Sequence, residues 1–236
     1  MIRINRDTCP EILKNASHES ERYRNKKVVE TLWEMQKEKC CYCEQKIPSH
    51  GHSKAVDHFK PQSIFTYETN QWKNLLLACS QCNGKKSDKF PIMLTEEESE
   101  TKVIYLKVDE EGEAAIIDPS DSEINPEEHI TFEVDDSSND LGNILEKDHS
   151  LLGRTTIDVV GLSGEHYRKE RCRYWRFLNM IHWNMISAKN ENDEDNLAVN
   201  KQSFQQCLNS NSKYAGLART YARKKNLDKN YGLVIP

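Results

Sequence analysis

The chain has 236 residues, 36% of them hydrophobic, and 33 basic against 38 acidic side chains give it a net charge of −5. That length allows one sizeable domain or two small ones, and a mean hydropathy of −0.82 implies a modest core under a polar surface. No apolar run approaches the length of a bilayer span and no signal-peptide-like segment opens the sequence, which excludes a membrane role and points to the cytoplasm.

In chain order, residues 1–6 alternate apolar and polar as a short edge strand would, and Thr8 before Cys9-Pro10 suits a helix start. Across residues 19–37, Tyr23, Val28, Leu32 and Met35 share one helical face. Arg22, Arg24, Lys26 and Lys27 occupy the other, read as solvated. That helix delivers the chain to residues 39–91, bracketed by Cys40-x-x-Cys43 and Cys79-x-x-Cys82. Beyond Pro91 the texture changes. Residues 102–108 and 113–118 flank Asp109-Glu110-Glu111-Gly112, a hairpin signal, and residues 129–134 read as a further strand. Residues 155–162, closed by Gly161, suit either a strand or the start of a helical tail. Ser163 is then placed as the cap of a helix striped by Tyr167, Tyr174, Leu178, Ile181 and Met185. Arg168, Arg171, Arg173 and Arg176 surround the stripe, with Trp175 and Trp183 nearby, a composition that suits base stacking and protein interfaces alike. A polar linker at 190–196 precedes helices near 197–208 and 213–225.

The pattern is α+β, in four stretches: an N-terminal strand and helices (1–36), a cysteine-bracketed finger (37–95), an acidic β-rich insertion (96–150) and a helical C-terminal region (151–236). The charge is partitioned among them, with +5 over residues 1–95, −15 over 96–140 and +5 over 141–236. Overall acidity therefore says nothing against nucleic-acid binding, because the finger itself is basic.

Eight cysteines could signal a secreted disulfide scaffold, but four sit at zinc spacing and the others are scattered, which fits a reducing compartment. Two Cys-x-x-Cys turns bring four thiolates onto one ion in a closed tetrahedral Zn²⁺ site. Cys41-x-Cys43 is an alternative register, but the two-residue gap favours Cys40. A structural zinc ribbon needs nothing more, yet Val56-Asp57-His58-Phe59-Lys60-Pro61 carries two adjacent polar residues along a short strand. Strand neighbours face opposite sides, so Asp57 and His58 can do different work. Asn74 precedes the apolar run into the second Cys pair, and Asn83 follows that pair. His50 and His52 read as exposed loop histidines. Gly84-Lys85-Lys86-Ser87 is no phosphate loop, since Cys79 stands where its first glycine belongs, so no ATP hydrolysis is expected.

At these residues the chain resembles the HNH endonuclease family, whose fold is a ββα-metal finger. Asp57-His58 stand at the first His, Asn74 at the central Asn, and Asn83 where a second His is usual, an HNN variant like the HNH domain of CRISPR effectors. The four-cysteine site near the N-terminus and the long helical tail also resemble the PtuB family of Septu and retron anti-phage systems. The HNH resemblance implies DNA cleavage with His58 as general base and Asp57 and Asn83 holding Mg²⁺ or Mn²⁺. Asn74 would tie down the loop bearing His58, zinc on Cys40, Cys43, Cys79 and Cys82 would be structural, and Lys60 and Lys86 would meet phosphate. The PtuB resemblance implies a PtuA-like ATPase partner and an association with a retron reverse transcriptase and its DNA. The rival reading from the residues is a non-catalytic zinc-finger adaptor, which leaves Asp57, His58 and the two asparagines without a purpose.

Overall fold

The structure, a computed structural model, describes residues 1–6, 8–49, 53–95, 101–105 and 112–236. His50, His52 and the turn residues Asp109, Glu110 and Glu111 lie outside the described residues. The first six residues form no strand. Ile4 donates its N–H to the carbonyl of Pro119 (2.7 Å), and the Arg6 guanidinium donates to the carbonyls of Trp72, Lys73 and Leu75. A side chain thus takes the place of a ladder.

Helix α1 (Glu11–Lys14) follows Pro10 at its N-cap. The long helix expected over 19–37 is split into a 3-10 turn at Arg22–Arg24 and helix α2 (Lys26–Met35). Asn25 causes the break: it takes extended dihedrals and its side chain accepts from the Lys27 N–H, the preferred role of Asn at a helix start. Val28, Leu32 and Met35 are buried. Just past the helix, the Gln36 amide donates to the carbonyls of Lys39 and Leu77 and accepts from the Leu77 N–H, clamping α2 to the strand beyond.

Strands β1 (Lys54–His58) and β2 (Leu75–Cys79) pair antiparallel, with Asp57 opposite Leu76 and His58 opposite Leu75. Leu75, Leu76, Leu77 and Ala78 are all fully buried, so β2 is covered on both faces and reads as an unbroken apolar run rather than an alternating one. Helix α3 (Ser80–Lys86) follows at once, its N-cap formed by the Cys79 sulfur accepting from the Cys82 N–H.

Strand β3 (Pro91–Thr95) lies between β4 (Thr101–Tyr105) and β5 (Glu113–Ala114). The hairpin expected between 102–108 and 113–118 is therefore not a direct pairing. Ile92 of β3 stands opposite both Ile104 and Ala114, and as a buried residue it claims the centre of the sheet. Helix α4 (Pro126–His129), capped by Asn125, takes the start of the strand expected at 129–134. Only β6 (Ile130–Phe132) remains of it, paired with β7 (Ile144–Glu146).

Residues 155–162 resolve as helix: α5 (Leu151–Val160) is capped by the Ser150 side chain and ended by Gly161 at φ 69°, a left-handed terminus that suits glycine. Helix α6 (Glu165–Asn190) starts from Gly164, not from a Ser163 side-chain cap. Arg171, read from the sequence as surface, is buried, its guanidinium donating to the carbonyls of Gly142 (2.6 Å) and Leu162 (3.1 Å). Helix α7 (Glu194–Leu208), capped by Asp193, packs against α6, and α8 (Ala215–Lys224) and α9 (Leu227–Tyr231) close the chain. Buried apolar side chains from Met1 to Leu233 form one connected core. Among the described residues no helix is long and apolar enough to cross a membrane.

Candidate active site and metal centre

Cys40, Cys43, Cys79 and Cys82 bring their sulfurs within 4.8 Å of one another. The Cys43 and Cys79 sulfurs are 3.9 Å apart, close to the roughly 3.8 Å edge of a tetrahedron with Zn–S bonds of about 2.3 Å. The donor set and its spacing thus fit Zn²⁺, with Cys40 rather than Cys41 in the cluster. Burial alone would raise the Cys40 thiol, but hydrogen bonds from the thiols of Cys41, Cys43, Cys79 and Cys82 hold it well below its ordinary range. Helix α6 reaches the cluster as well, the Tyr167 hydroxyl lying 3.2 Å from the Cys82 sulfur. Sequence reasoning missed this contact because nothing in local spacing joins residues 85 positions apart.

Strand β1 starts opposite Cys79 and carries Asp57 and His58, both buried, toward its other end. Asp57 Oδ2 accepts from the Tyr42 hydroxyl at 2.7 Å, and Oδ1 from Lys86 Nζ at 3.3 Å. Burial pushes its carboxyl up to about 6, against the opposing pull of Lys86 and Tyr42. His58 Nε2 lies 2.9 Å from the carbonyl of Thr69. A carbonyl can only accept, so Nε2 carries the proton and Nδ1 keeps the lone pair. The Tyr23 ring meets the imidazole edge-on at 4.6 Å. Burial lowers the imidazole below its ordinary value, and Lys86 and Arg24 add to that against the Thr69 carbonyl.

A cavity of about 510 Å³ opens over these groups, lined among others by Asp57, His58 and Asn83. Three of the residues singled out in the sequence therefore line the same cavity. Tyr23, Arg24, Lys54, Ser87 and Asp88 line it too. Arg24, read as solvated, is indeed exposed and also borders the cavity. Its approach to the site follows from the 3-10 turn, which helical periodicity cannot reveal.

Asn74 is not on the cavity wall. It is buried beneath the loop after β1, where Oδ1 accepts from the Lys60 N–H (2.7 Å) and Nδ2 donates to the carbonyls of Lys60 and Glu68. Lys60 is paired with Glu68 at 2.7 Å. Lys86, expected to meet phosphate, is fully enclosed and spends its ammonium on Asp57 and on the His58 carbonyl (2.6 Å). Its charge lies beneath the site, not on a path open to a polyanion.

An acidic residue, an imidazole with one nitrogen tethered and an amide-bearing residue thus line one cavity, in a chain that also gathers four sulfurs into a cluster. Residues 40–89 match the HNH endonuclease family model. Two curated proteins named Septu protein PtuB are 29% identical to the chain. The match to the Bacillus thuringiensis protein runs over 132 residues, 56% of this chain and 39% of that one. The match to the Bacillus mycoides protein (strain KBAB4) runs over 167 residues, 65% of this chain and 52% of that one. The chain thus spans about half or less of the curated relatives it matches. The HNH segment holds the four cysteines, strands β1 and β2 and helix α3, and so the cavity-lining residues Asp57, His58 and Asn83.

Proposed function

We propose that the chain is a metal-dependent HNH endonuclease that hydrolyses DNA phosphodiester bonds within a Septu-type anti-phage system. The observation that carries this reading is the common cavity of Asp57, His58 and Asn83. Strands β1 and β2 and helix α3 supply the ββα finger, with residues 37–95 as the nuclease unit and residues 96–150 and 151–236 as an insertion and a helical region around it. His58 is the general base: with Nε2 held by Thr69, Nδ1 is free to take a proton from water, and an imidazole below its usual pKa is unprotonated at neutral pH.

Asp57 and Asn83 would hold Mg²⁺ or Mn²⁺. Both offer hard oxygen donors and line one cavity, and two protein ligands leave room for phosphate and water, the usual arrangement for these ions. When bound, such a cation supplies charge relief to the scissile phosphate and the leaving oxygen. Asn74 fixes the backbone of the loop after His58, and Arg24 and Lys54 on the cavity wall are better placed than Lys86 to meet phosphate. Lys60 could do so only by leaving Glu68. Zinc on the four cysteines is structural, since four thiolates leave no open position.

The names of the two relatives support a Septu assembly, in which this chain would act with a PtuA-like ATPase, and do not support the retron association. The test is plasmid cleavage by the zinc-loaded protein with and without added Mg²⁺ or Mn²⁺. Nicking that requires the added ion supports the nuclease. Binding of DNA with no cleavage in either ion would favour the zinc-finger adaptor.

A further inference from the structure

The first cysteine turn does more than supply sulfur. Tyr42 stands inside it, between Cys40 and Cys43, buried among the core side chains. Its hydroxyl does not point to solvent but crosses to β1 and donates to Asp57 Oδ2 at 2.7 Å. From the opposite side Lys86, the last residue of the helix that Cys79 and Cys82 begin, donates to Oδ1 at 3.3 Å and to the His58 carbonyl at 2.6 Å. Each cysteine-bearing segment therefore sends one side chain to the same carboxylate, and neither donor has an alternative partner in water.

We infer that Tyr42 is a positioning residue through which the four-cysteine centre sets Asp57 for the catalytic cation. Fixing four sulfurs on one ion fixes the turn that carries Tyr42, and Tyr42 in turn fixes the rotation of the Asp57 carboxylate. A ligand carboxylate is commonly oriented by such an outer partner, and removing the partner typically weakens metal binding about 10- to 100-fold. The inference rests on the nuclease reading for the existence of the cation, and on the structure alone for the Tyr42–Asp57 contact.

Tyr42→Phe removes one oxygen and leaves the ring in place. The experiment measures Mn²⁺ binding to the zinc-loaded protein without DNA, by the paramagnetic resonance signal of free Mn²⁺, together with zinc content and the urea midpoint. The expected result is Mn²⁺ affinity reduced about ten-fold or more, with zinc content unchanged and a cooperative unfolding transition retained at a lowered midpoint, because the buried Asp57 oxygen loses its donor. The Mn²⁺ needed for half-maximal cleavage should rise by the same factor, and cleavage should recover at saturating Mn²⁺. Unchanged Mn²⁺ affinity would overturn the inference. So would loss of zinc along with Mn²⁺ binding, because Tyr42 would then be a folding residue. Wild-type protein that binds no Mn²⁺, or binds it equally after Asp57→Ala, would instead remove the nuclease reading on which the inference stands.

Discussion

Asn74 shows how much of this site depends on single side chains that touch no substrate. Its amide makes three hydrogen bonds to the backbone of Lys60 and Glu68, in the segment that follows His58 and leads to Thr69. Asn74→Ala leaves those buried groups without partners, and a loss of about 2–4 kcal/mol is expected, measured as a lowered urea midpoint, with cleavage reduced beyond what the fraction unfolded explains. The asparagine was singled out in the sequence through its place in the HNH-like pattern. The role of Lys86 was not legible there. A lysine beside a second lysine after a cysteine turn reads as a basic rim, and its burial beneath Asp57 follows from the helical turn that points residue 86 inward while Lys85 stays exposed. Arg171 misled in the same way: one arginine among four on a helix looks solvated, yet it satisfies the carbonyls that end α5 and precede β7.

Among the elements, strands β1 and β2 and the C-terminal helices follow from local pattern, whereas the sheet of β3, β4 and β5 does not. Residues 102–108 and 113–118 look like a hairpin because turn chemistry is local. The competing partner, β3, precedes them in sequence and wins because its Ile92 can be buried between both neighbours. Helix α5 depends on a close approach that no pattern reveals. A Cβ on Gly153 would sit 2.0 Å from the carbonyl oxygen of His129, far inside contact distance. Gly153→Ala should therefore cost about 1–3 kcal/mol or more through backbone displacement, read as a fall in melting temperature, despite the higher helix propensity of alanine. The two tryptophans of α6 give a matched contrast. Trp175 is buried and donates to the Val134 carbonyl, so Trp175→Ala should cost about 3–5 kcal/mol. Trp183 is 62% exposed, and Trp183→Ala should change stability by less than about 0.5 kcal/mol. Equal losses in the two variants would show that the outer face of α6 is covered.

For the whole molecule, the cysteine centre is where the pieces meet. The first turn follows α2, the second joins β2 to α3, and Tyr167 brings α6 to the Cys82 sulfur. Removing one ligand should then be felt beyond the finger, because the ion's binding energy is folding energy. Cys40→Ser is expected to lose zinc and soluble yield together, and to weaken the protection of α6 amides as well as those of β1 and β2 in hydrogen exchange. Protection lost from β1 and β2 alone would show that the helices fold without the metal centre. The central claim concerns the cavity lined by Asp57, His58 and Asn83, and cleavage of supercoiled plasmid by His58→Ala in Mg²⁺ or Mn²⁺ tests it most directly. The account predicts a variant with wild-type zinc content that still folds cooperatively, at a lowered melting temperature because the Thr69 carbonyl loses its donor, and that leaves the plasmid intact under conditions in which the wild type nicks it. Cleavage at the wild-type rate by that same folded, zinc-loaded variant would contradict it.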